Sequence, residues 1–385
     1  MKVAVPTEVY PGETRVALIP SAVDALLKAG LTVAVQSGAG AASLHADAEY
    51  EKHGATVEAD RAKLLADADI VLMVRGPGDY ADFPAELLQQ MQPGSTLIAF
   101  LDPLAHAASM RGLAEHNITA LSMELMPRIT RAQSMDALSS MASVAGYKAV
   151  LLAAQEAPTM FPMMMTAAGT LKPTKVFILG AGVAGLQAIA TAKRLGAVVE
   201  GYDIRTEVKE QVESLGGKFV ELKVDVARAE GAGGYAAAQS KEFIERQQQL
   251  LADHLSGVDV IITTAAVPGR KAPTLIPAWM ADRLHPGTVL VDLAAERGGN
   301  CELTVPGERV EHNGVLILGP TNVPATTPAH ASQMYAKNIQ TFLLHLVKEG
   351  KLVIDLEDEI TAGTLVTRDG KVVHPRLAEA AAGSN

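Results

Sequence analysis

The run Lys175-Val-Phe-Ile-Leu-Gly-Ala-Gly-Val-Ala-Gly-Leu-Gln-Ala188 carries the densest chemical information in this 385-residue chain. A β-branched apolar strand runs into Gly180-x-Gly182-x-x-Gly185, and small residues from Ala188 to Leu195 predict a helix. A second strand, Val198 to Tyr202, then ends in Asp203. Gly180 permits a tight strand-to-helix turn, Gly182 lets backbone approach a pyrophosphate, and Gly185 lets helix and strand pack closely. Unpaired N–H groups at the helix N-terminus complete an anion site. Asp203 lies 23 residues after Gly180, near the distance at which a carboxylate meets adenine ribose hydroxyls. A carboxylate there accepts from the ribose and repels a 2′-phosphate, which favours NAD(H) over NADP(H). Arg205 is the counter-signal: it pairs with a 2′-phosphate, covers the adenine, or is simply solvated.

A second polar cluster is Met126-Pro-Arg128-Ile-Thr-Arg131-Ala-Gln133-Ser-Met-Asp136-Ala-Leu-Ser139. Proline opens it and a helix follows. Arg128, Gln133, Asp136 and Ser139 together suit a pyrophosphate, a nicotinamide ribose and a carboxamide; the alternative is ordinary capping by Ser134 or Asp136. Ala229-Glu-Gly-Ala-Gly-Gly-Tyr235 is either a mobile loop that closes a tyrosine over a nucleotide or a flexible linker. Phe161-Pro-Met-Met-Met165 reads as core filler in preference to a docking surface, because methionine packs irregular gaps well. The ten histidines are scattered without ligand spacing, so no metal is expected. No Gly-x-Ser-x-Gly nucleophile elbow occurs.

These residues must be held by a framework of matching size. The length exceeds one ordinary core, so two domains are expected. A net charge of −10, with no long Lys/Arg block, argues against nucleic acid and against adsorption to anionic lipid. Cys301 is the single cysteine, which excludes an intrachain disulfide. The chain opens directly on a strand, so export is not expected, and no uninterrupted apolar stretch reaches bilayer-spanning length.

Val3–Pro6, Thr32–Gln36, Ile70–Val74 and Thr96–Phe100 read as strands, with helices at Ser21–Ala29, Arg61–Ala66 and Ala85–Met91. A second alternating unit starts at Lys175 and continues through strands Val258–Thr263, Thr288–Asp292 and Val315–Leu318, with a proline-opened helix at Pro277–Leu284. This alternation predicts an α/β fold of two Rossmann-like, doubly wound parallel-sheet domains. Long helices over Ser134–Gln155 and Ala329–Glu349 join them, with a cleft between the lobes for the nicotinamide end of a cofactor. Residues 1–135 and 330–385 form the discontinuous N-terminal lobe, and residues 136–329 the NAD(H)-binding domain. After Gly350 come a strand at Leu352–Leu356 and a hairpin, Thr364–Thr367 with Lys371–Val373, turned at Asp369-Gly370. Ala378–Asn385 reads as a frayed tail.

Glu124 to Asp136, Phe161 to Gly169 and Gly182 to Gly196 resemble the proton-translocating NAD(P) transhydrogenases, specifically domain I, their NAD(H)-binding alpha component. The likeness runs on through Asp292-Leu-Ala, Gly298-Gly-Asn-Cys301 and Thr367-Arg-Asp-Gly370. The related alanine dehydrogenases share the opening Glu13-x-Arg15-Val-Ala17. They carry a substrate-binding lysine where this chain has Arg75, a catalytic histidine where it has Asp102, and an aspartate where it has Glu296. Oxidising an amino acid needs a group that takes and returns protons, and an arginine does not deprotonate. Passing hydride between two nicotinamides needs alignment and exclusion of water instead.

The resemblance implies that Gly180, Ala181, Gly182, Val183 and Gly185 hold the pyrophosphate, and Asp203, Ile204 and Arg205 the adenosine. It assigns Arg128, Ile129, Gln133, Asp136 and Ser139 to the nicotinamide and its ribose, with Gln133 setting the ring for transfer. Gly234 and Tyr235 match a mobile loop, and Gln247 and Ala266 line the adenine side. It further implies NADP(H) on a separate partner component, a membrane-spanning component that translocates protons, a homodimer, and a place on the cytoplasmic face of the inner membrane through those partners. A dehydrogenase of the alanine type, using Arg15 and Arg75 for a substrate carboxylate, is the competing reading. A non-enzymatic sensor of the NADH/NAD⁺ ratio is a third.

Overall fold

The computed structural model describes residues 1–77, 85–222, 241–267 and 269–377, without the side chains of 241–245 and 247. The chain divides into two compact units: Met1–Met141 with Pro324–Asn385, and Ala142–Val323.

In the first unit, strands β1 (Lys2–Val5), β2 (Thr32–Gln36), β3 (Thr56–Glu58), β4 (Ile70–Arg75), β5 (Thr96–Phe100) and β6 (Thr119–Ser122) are all parallel. Their order is 3-2-1-4-5-6, the doubly wound arrangement in which the chain reverses direction between β1 and β4. β4 and β5 read Ile-Val-Leu-Met-Val-Arg and Thr-Leu-Ile-Ala-Phe, buried throughout, as strands covered on both faces must be.

The second unit begins with an outlying hairpin, β7 (Met164–Thr166) and β8 (Gly169–Leu171). Its main sheet comprises β9 (Lys175–Leu179), β10 (Val198–Tyr202), β11 (Lys218–Phe219), β12 (Val260–Thr263), β13 (Val289–Asp292), β14 (Arg309–His312) and β15 (Val315–Leu318). The order is β11-β10-β9-β12-β13-β15-β14, parallel except for β14. Its reversal point lies between β9 and β12. The helix Val183–Arg194 packs Ala188, Ile189 and Ala192 into the core on one face of this sheet. Leu251, Leu255, Met280 and Ile276 belong to a second cluster with Phe177, Ile261 and Leu290.

The chain then returns to the first unit. The helix Pro328–Leu346, opened by proline at its first turn, buries Ala331, Tyr335, Ile339, Phe342 and Leu346 along one stripe. A short ribbon, β16 (Val347–Lys348) with β17 (Lys351–Leu352), leads to β18 (Leu365–Arg368) and β19 (Lys371–Val372). β18 pairs antiparallel with β6 and, together with β19, extends the first sheet to eight strands.

Several expectations are corrected. The helix expected over Ser134–Gln155 is two elements, a 3-10 turn at Thr130–Met135 and an α-helix at Ala137–Glu156, parted at Asp136. Pro277 caps a shorter helix, Ala278–Ala281, from outside it, in extended backbone. The strand expected at Leu352–Leu356 is only β17, because its partner β16 is two residues long. Phe161-Pro-Met-Met-Met165 is not core: Phe161 is buried, but Met163 and Met165 are 58% and 79% exposed on and beside the hairpin. The core takes one aromatic there, and the strand pair that follows stands away from it. The helix Ala137–Glu156 is long and apolar enough by length and composition to cross a membrane, although its serines and Lys148 interrupt the apolar run. Its Ala149, Val150 and Ala153 are instead packed in the second unit's core. The tail at 378–385 lies outside the described residues.

Candidate functional site: a glycine turn and a polar loop

The end of β9 is a crowded junction. Gly180 has φ +103°, and a Cβ on it would lie 2.6 Å from Thr264 Oγ1. The Thr264 hydroxyl donates to the Gly180 carbonyl at 3.0 Å, tying the end of β9 to the segment after β12. A Cβ on Gly185 would come within 1.8 Å of the Gly180 carbonyl oxygen. Both positions therefore exclude any side chain. Gly182 differs: a Cβ there meets nothing within 4 Å, and its backbone is ordinary at φ −75°. Gly182 is the N-cap of the twelve-residue helix Val183–Arg194 and supplies no side-chain cap. The helix thus presents its first-turn N–H groups and positive dipole end beside an open space. Ala181 is buried, and Val183 is exposed at the opening. This cradle fits a dinucleotide pyrophosphate.

Asp203, buried after β10, accepts from the Ala181 N–H at 2.8 Å, so the acid braces the glycine turn directly. Arg205 donates to it through Nε and Nη2, each at 3.0 Å, and through its backbone N–H at 2.9 Å. Ile204 is half-buried between them. Arg205 is therefore no independent cation: its fork is laid against the acid. Ala266 is exposed after β12, and Gln247 falls in the helix Lys241–Leu255 with its side chain outside the described residues. Gly234 and Tyr235 also lie outside them.

Sequence reasoning missed the knot behind this turn. Asp292, at the end of β13, is fully buried and accepts from Thr263 Oγ1, Thr304 Oγ1 and the N–H groups of Ala294, Asn300 and Cys301. Asn300 in turn accepts from the Ala265 N–H and donates to the carbonyls of Ala265 and Pro273. A buried carboxylate surrounded by donors is held rigid. The Asp292-x-x-x-x-x-x-x-Asn300 spacing was the available signal. Burial pushes the Cys301 thiol up to about 11, which makes it unreactive.

In the first unit the polar loop follows β6. Ala132 and Met135 anchor the Thr130–Met135 turn in the core, while Arg128 and Gln133 are exposed and Ile129 is half-buried. Asp136 accepts from the Ser139 N–H at 2.9 Å and from Ser139 Oγ at 2.6 Å. That is the capping alternative, with Asp136 as N-cap and Ser139 three residues on. Glu124 accepts from the N–H groups of Leu101 and Asp102, fixing the loop's start against the end of β5.

Around the β1/β4 reversal lies a charged group. Arg15 donates to Glu13 through Nε at 2.7 Å and Nη2 at 2.6 Å, both side chains being buried. The Arg75 guanidinium stacks 3.7 Å above the Tyr10 ring, and Asp102 is buried at φ +43° with His106 3.2 Å from its carboxylate. Glu8 accepts from the N–H groups of Val74 and Arg75. Burial, reinforced by the Glu13 charge, pushes the Glu8 carboxyl up to about 8, against the pull of those N–H groups and of Arg15. Glu296 is exposed on the turn Ala295–Arg297. Among the described residues no group of three His, Cys, Asp or Glu side chains is placed to hold a metal ion.

With this geometry in place, comparison with known proteins decides the family. The alanine dehydrogenase/PNT N-terminal domain model matches residues 4–145, and the corresponding C-terminal domain model matches residues 149–375. The chain belongs to the alanine dehydrogenase/PNT family. Within that family it is 48% identical to the first part of the NAD(P) transhydrogenase alpha subunit of Rhodospirillum rubrum, over 98% of this chain and 99% of that one. A solved transhydrogenase structure from Sinorhizobium meliloti is 44% identical and superimposes with a TM-score of 0.86, covering 97% of this chain and all of the other. Alanine dehydrogenase of Halomonas elongata is 30% identical over 99% of this chain and 96% of its own.

Three expected outcomes follow for this family's glycine turn and its charged group. Gly185→Ala destabilises the fold by roughly 2 kcal/mol or more, because the methyl meets a backbone carbonyl that no rotamer can move aside. Gly182→Ala leaves the urea midpoint nearly unchanged and weakens NADH binding about tenfold or more in calorimetric titration; unchanged affinity refutes the cradle. Glu8 has its folded value above its unfolded value of 4.5, so the unfolded chain releases the proton first as pH rises. Its contribution to stability is therefore lost between about pH 4.5 and 8. Glu8→Gln removes that decline, and urea titrations at pH 5 and pH 9 should show the variant gaining on the unsubstituted chain at the higher pH. Parallel profiles contradict this.

Proposed function

We propose that this chain is the NAD(H)-binding component of a proton-translocating NAD(P) transhydrogenase. The observation that carries the reading is the 48% identity with a transhydrogenase alpha-subunit chain across nearly all of both sequences. The alanine dehydrogenase relative stands at 30%. NADH, when bound, supplies a hydride from its nicotinamide C4 to NADP⁺ on a separate NADP(H)-binding component. Everything else required of this chain is placement.

The Gly180–Val183 turn and the first turn of the following helix hold the pyrophosphate through backbone N–H groups and the helix dipole. Asp203 and Arg205 face the adenosine. Since Arg205 is already paired with Asp203, a 2′-phosphate would meet the acid as well as the base, which favours NAD(H) on this component. Ala266 lines the adenine side. Arg128, Ile129, Gln133, Asp136 and Ser139 orient the nicotinamide and its ribose. Gln133 is exposed between buried Ala132 and Met135, so its backbone is fixed while its amide is presented outward. Asp136 and Ser139 act there as a paired unit that also starts a helix.

No residue serves as a general base. The position of Arg75 cannot exchange protons, and Asp102 offers a carboxylate where an amino-acid dehydrogenase uses an imidazole. Proton movement belongs to a membrane-spanning partner component, on whose surface this chain docks. A homodimer completes the assembly. The β7–β8 hairpin, with Met163, Met165 and Leu171 exposed, supports this, since an isolated two-stranded hairpin is marginal in water and gains from being covered by a second copy.

Mixing the chain with the NADP(H)-binding component, NADPH and an acetylpyridine analogue of NAD⁺ should give rapid analogue reduction; NADH formed from NAD⁺ and L-alanine instead would overturn the assignment. In the same assay Gln133→Asn should slow transfer by about a hundredfold with NADH affinity changed much less, because placement is what it disturbs. Equal losses in rate and affinity refute the role given to Gln133. Deleting residues 163–171 should convert a sedimenting dimer into a monomer at micromolar concentration, and an undiminished dimer would remove the hairpin from the interface.

A further inference from the structure

We propose that Asn338 and Asp358 are positioning residues for hydride transfer: together they clamp the short turn that carries Gln133. The inference rests on the transfer function proposed above and deepens it.

The Thr130–Met135 turn is a 3-10 helix whose N-cap, Ile129, supplies no side-chain hydrogen bond. Such turns have poor internal hydrogen-bond geometry and hold a precise shape only with outside support. Two supports straddle Gln133. On its C-terminal side, the Asn338 amide Nδ2 donates to the Ser134 carbonyl at 2.9 Å. On its N-terminal side, Arg131 Nη1 donates to Asp358 Oδ1 at 2.6 Å.

Each support is itself fixed. Asn338 and His345 are seven residues apart on the helix Pro328–Leu346, two turns along one face. His345 Nε2 lies 2.8 Å from Asp358 Oδ2, which also accepts from Thr361 N and Thr361 Oγ1, each at 2.8 Å. Asp358 thereby caps the helix Glu359–Thr364 while its other oxygen faces Arg131. One helix and one cap thus reach the turn from different segments, more than 200 residues away in sequence.

Asn338 is buried, and its Oδ1 has no hydrogen-bond partner among the described residues. A buried amide with an idle oxygen is costly, and an apolar residue of similar size would avoid the cost. What an apolar residue cannot supply is the donor to Ser134. The amide is retained for that bond, which sets the backbone immediately after Gln133.

Reactions governed by alignment lose about a hundredfold for a displacement near 1 Å. The clamp acts through Gln133 and touches neither cofactor. Asn338→Asp keeps the shape and turns the donor into an acceptor facing a carbonyl. Asp358→Asn removes the charge opposite Arg131 and keeps a side chain able to cap. With the NADP(H)-binding component and the acetylpyridine analogue, each should slow single-turnover transfer by about 10-fold or more, with NADH affinity by calorimetry changed less than about threefold. Circular dichroism melting identifies any variant that fails to fold, and the other then carries the test. The decisive measurement is coupling: added to Gln133→Asn, either substitution should cause little further loss, since both act through one side chain. Full-rate transfer by both folded variants, or losses that simply multiply with that of Gln133→Asn, would overturn the clamp alone. No transfer by the unsubstituted chain would overturn the functional reading and the clamp with it.

Discussion

The contact on which the site is built is the approach of a helix to the carbonyl of Gly180. Gly185 comes so close that a methyl group would sit within 1.8 Å of that oxygen, and the Thr264 hydroxyl holds the same oxygen from the other side. Three segments therefore meet at one backbone atom: the end of β9, the first turn of the helix, and the start of the loop after β12. Glycine at these positions is a requirement of space, whereas at Gly182 it leaves space. The same triplet thus contains two structural demands and one opening, and only the opening leaves room for a ligand.

Around that junction, carboxylates act as anchors for backbone. Asp203 takes the Ala181 N–H and the Arg205 fork, and Asp292 gathers five donors at the end of β13, two strands across from β9. Each stands where a doubly wound sheet releases its chain into loops. A charge taken out of water is tolerated only when its lone pairs are met, so each acid dictates the course of the loop that meets it. In the first unit, Glu124 does the same for the N–H groups of Leu101 and Asp102. Rigid loops are what a reaction of alignment demands.

The strands of both sheets were largely readable, because buried parallel strands are runs of Val, Ile and Leu between turn residues: Ile70–Val74 and Thr96–Phe100 lie within or match β4 and β5. The short edge strands β3, β11 and β14 were not, since two to four residues with a half-exposed face leave little pattern. Composition misled at Met163 and Met165, where apolar side chains lie outside the fold. At the glycine turn, local spacing carried the geometry, Asp203 included. The Asp136–Ser139 cap was visible only as one of two alternatives, because the same residue types serve both. Asn338 and Asp358 gave no sign: their partners are separated by more than 200 residues, and no local rule links an asparagine on one helix to a carbonyl on a distant turn.

The pairing of β18 with β6 has a bearing on biogenesis. Residues 142–323 are continuous, so that unit has all its strands as soon as its own stretch leaves the ribosome. The first sheet stays one hairpin short until residues 365–372 have been made. Its β6 edge, and the turn beyond it, are therefore completed last, after the later-encoded unit is already whole. A nascent chain of this protein completes the unit that carries its glycine turn before the sheet that carries its polar loop.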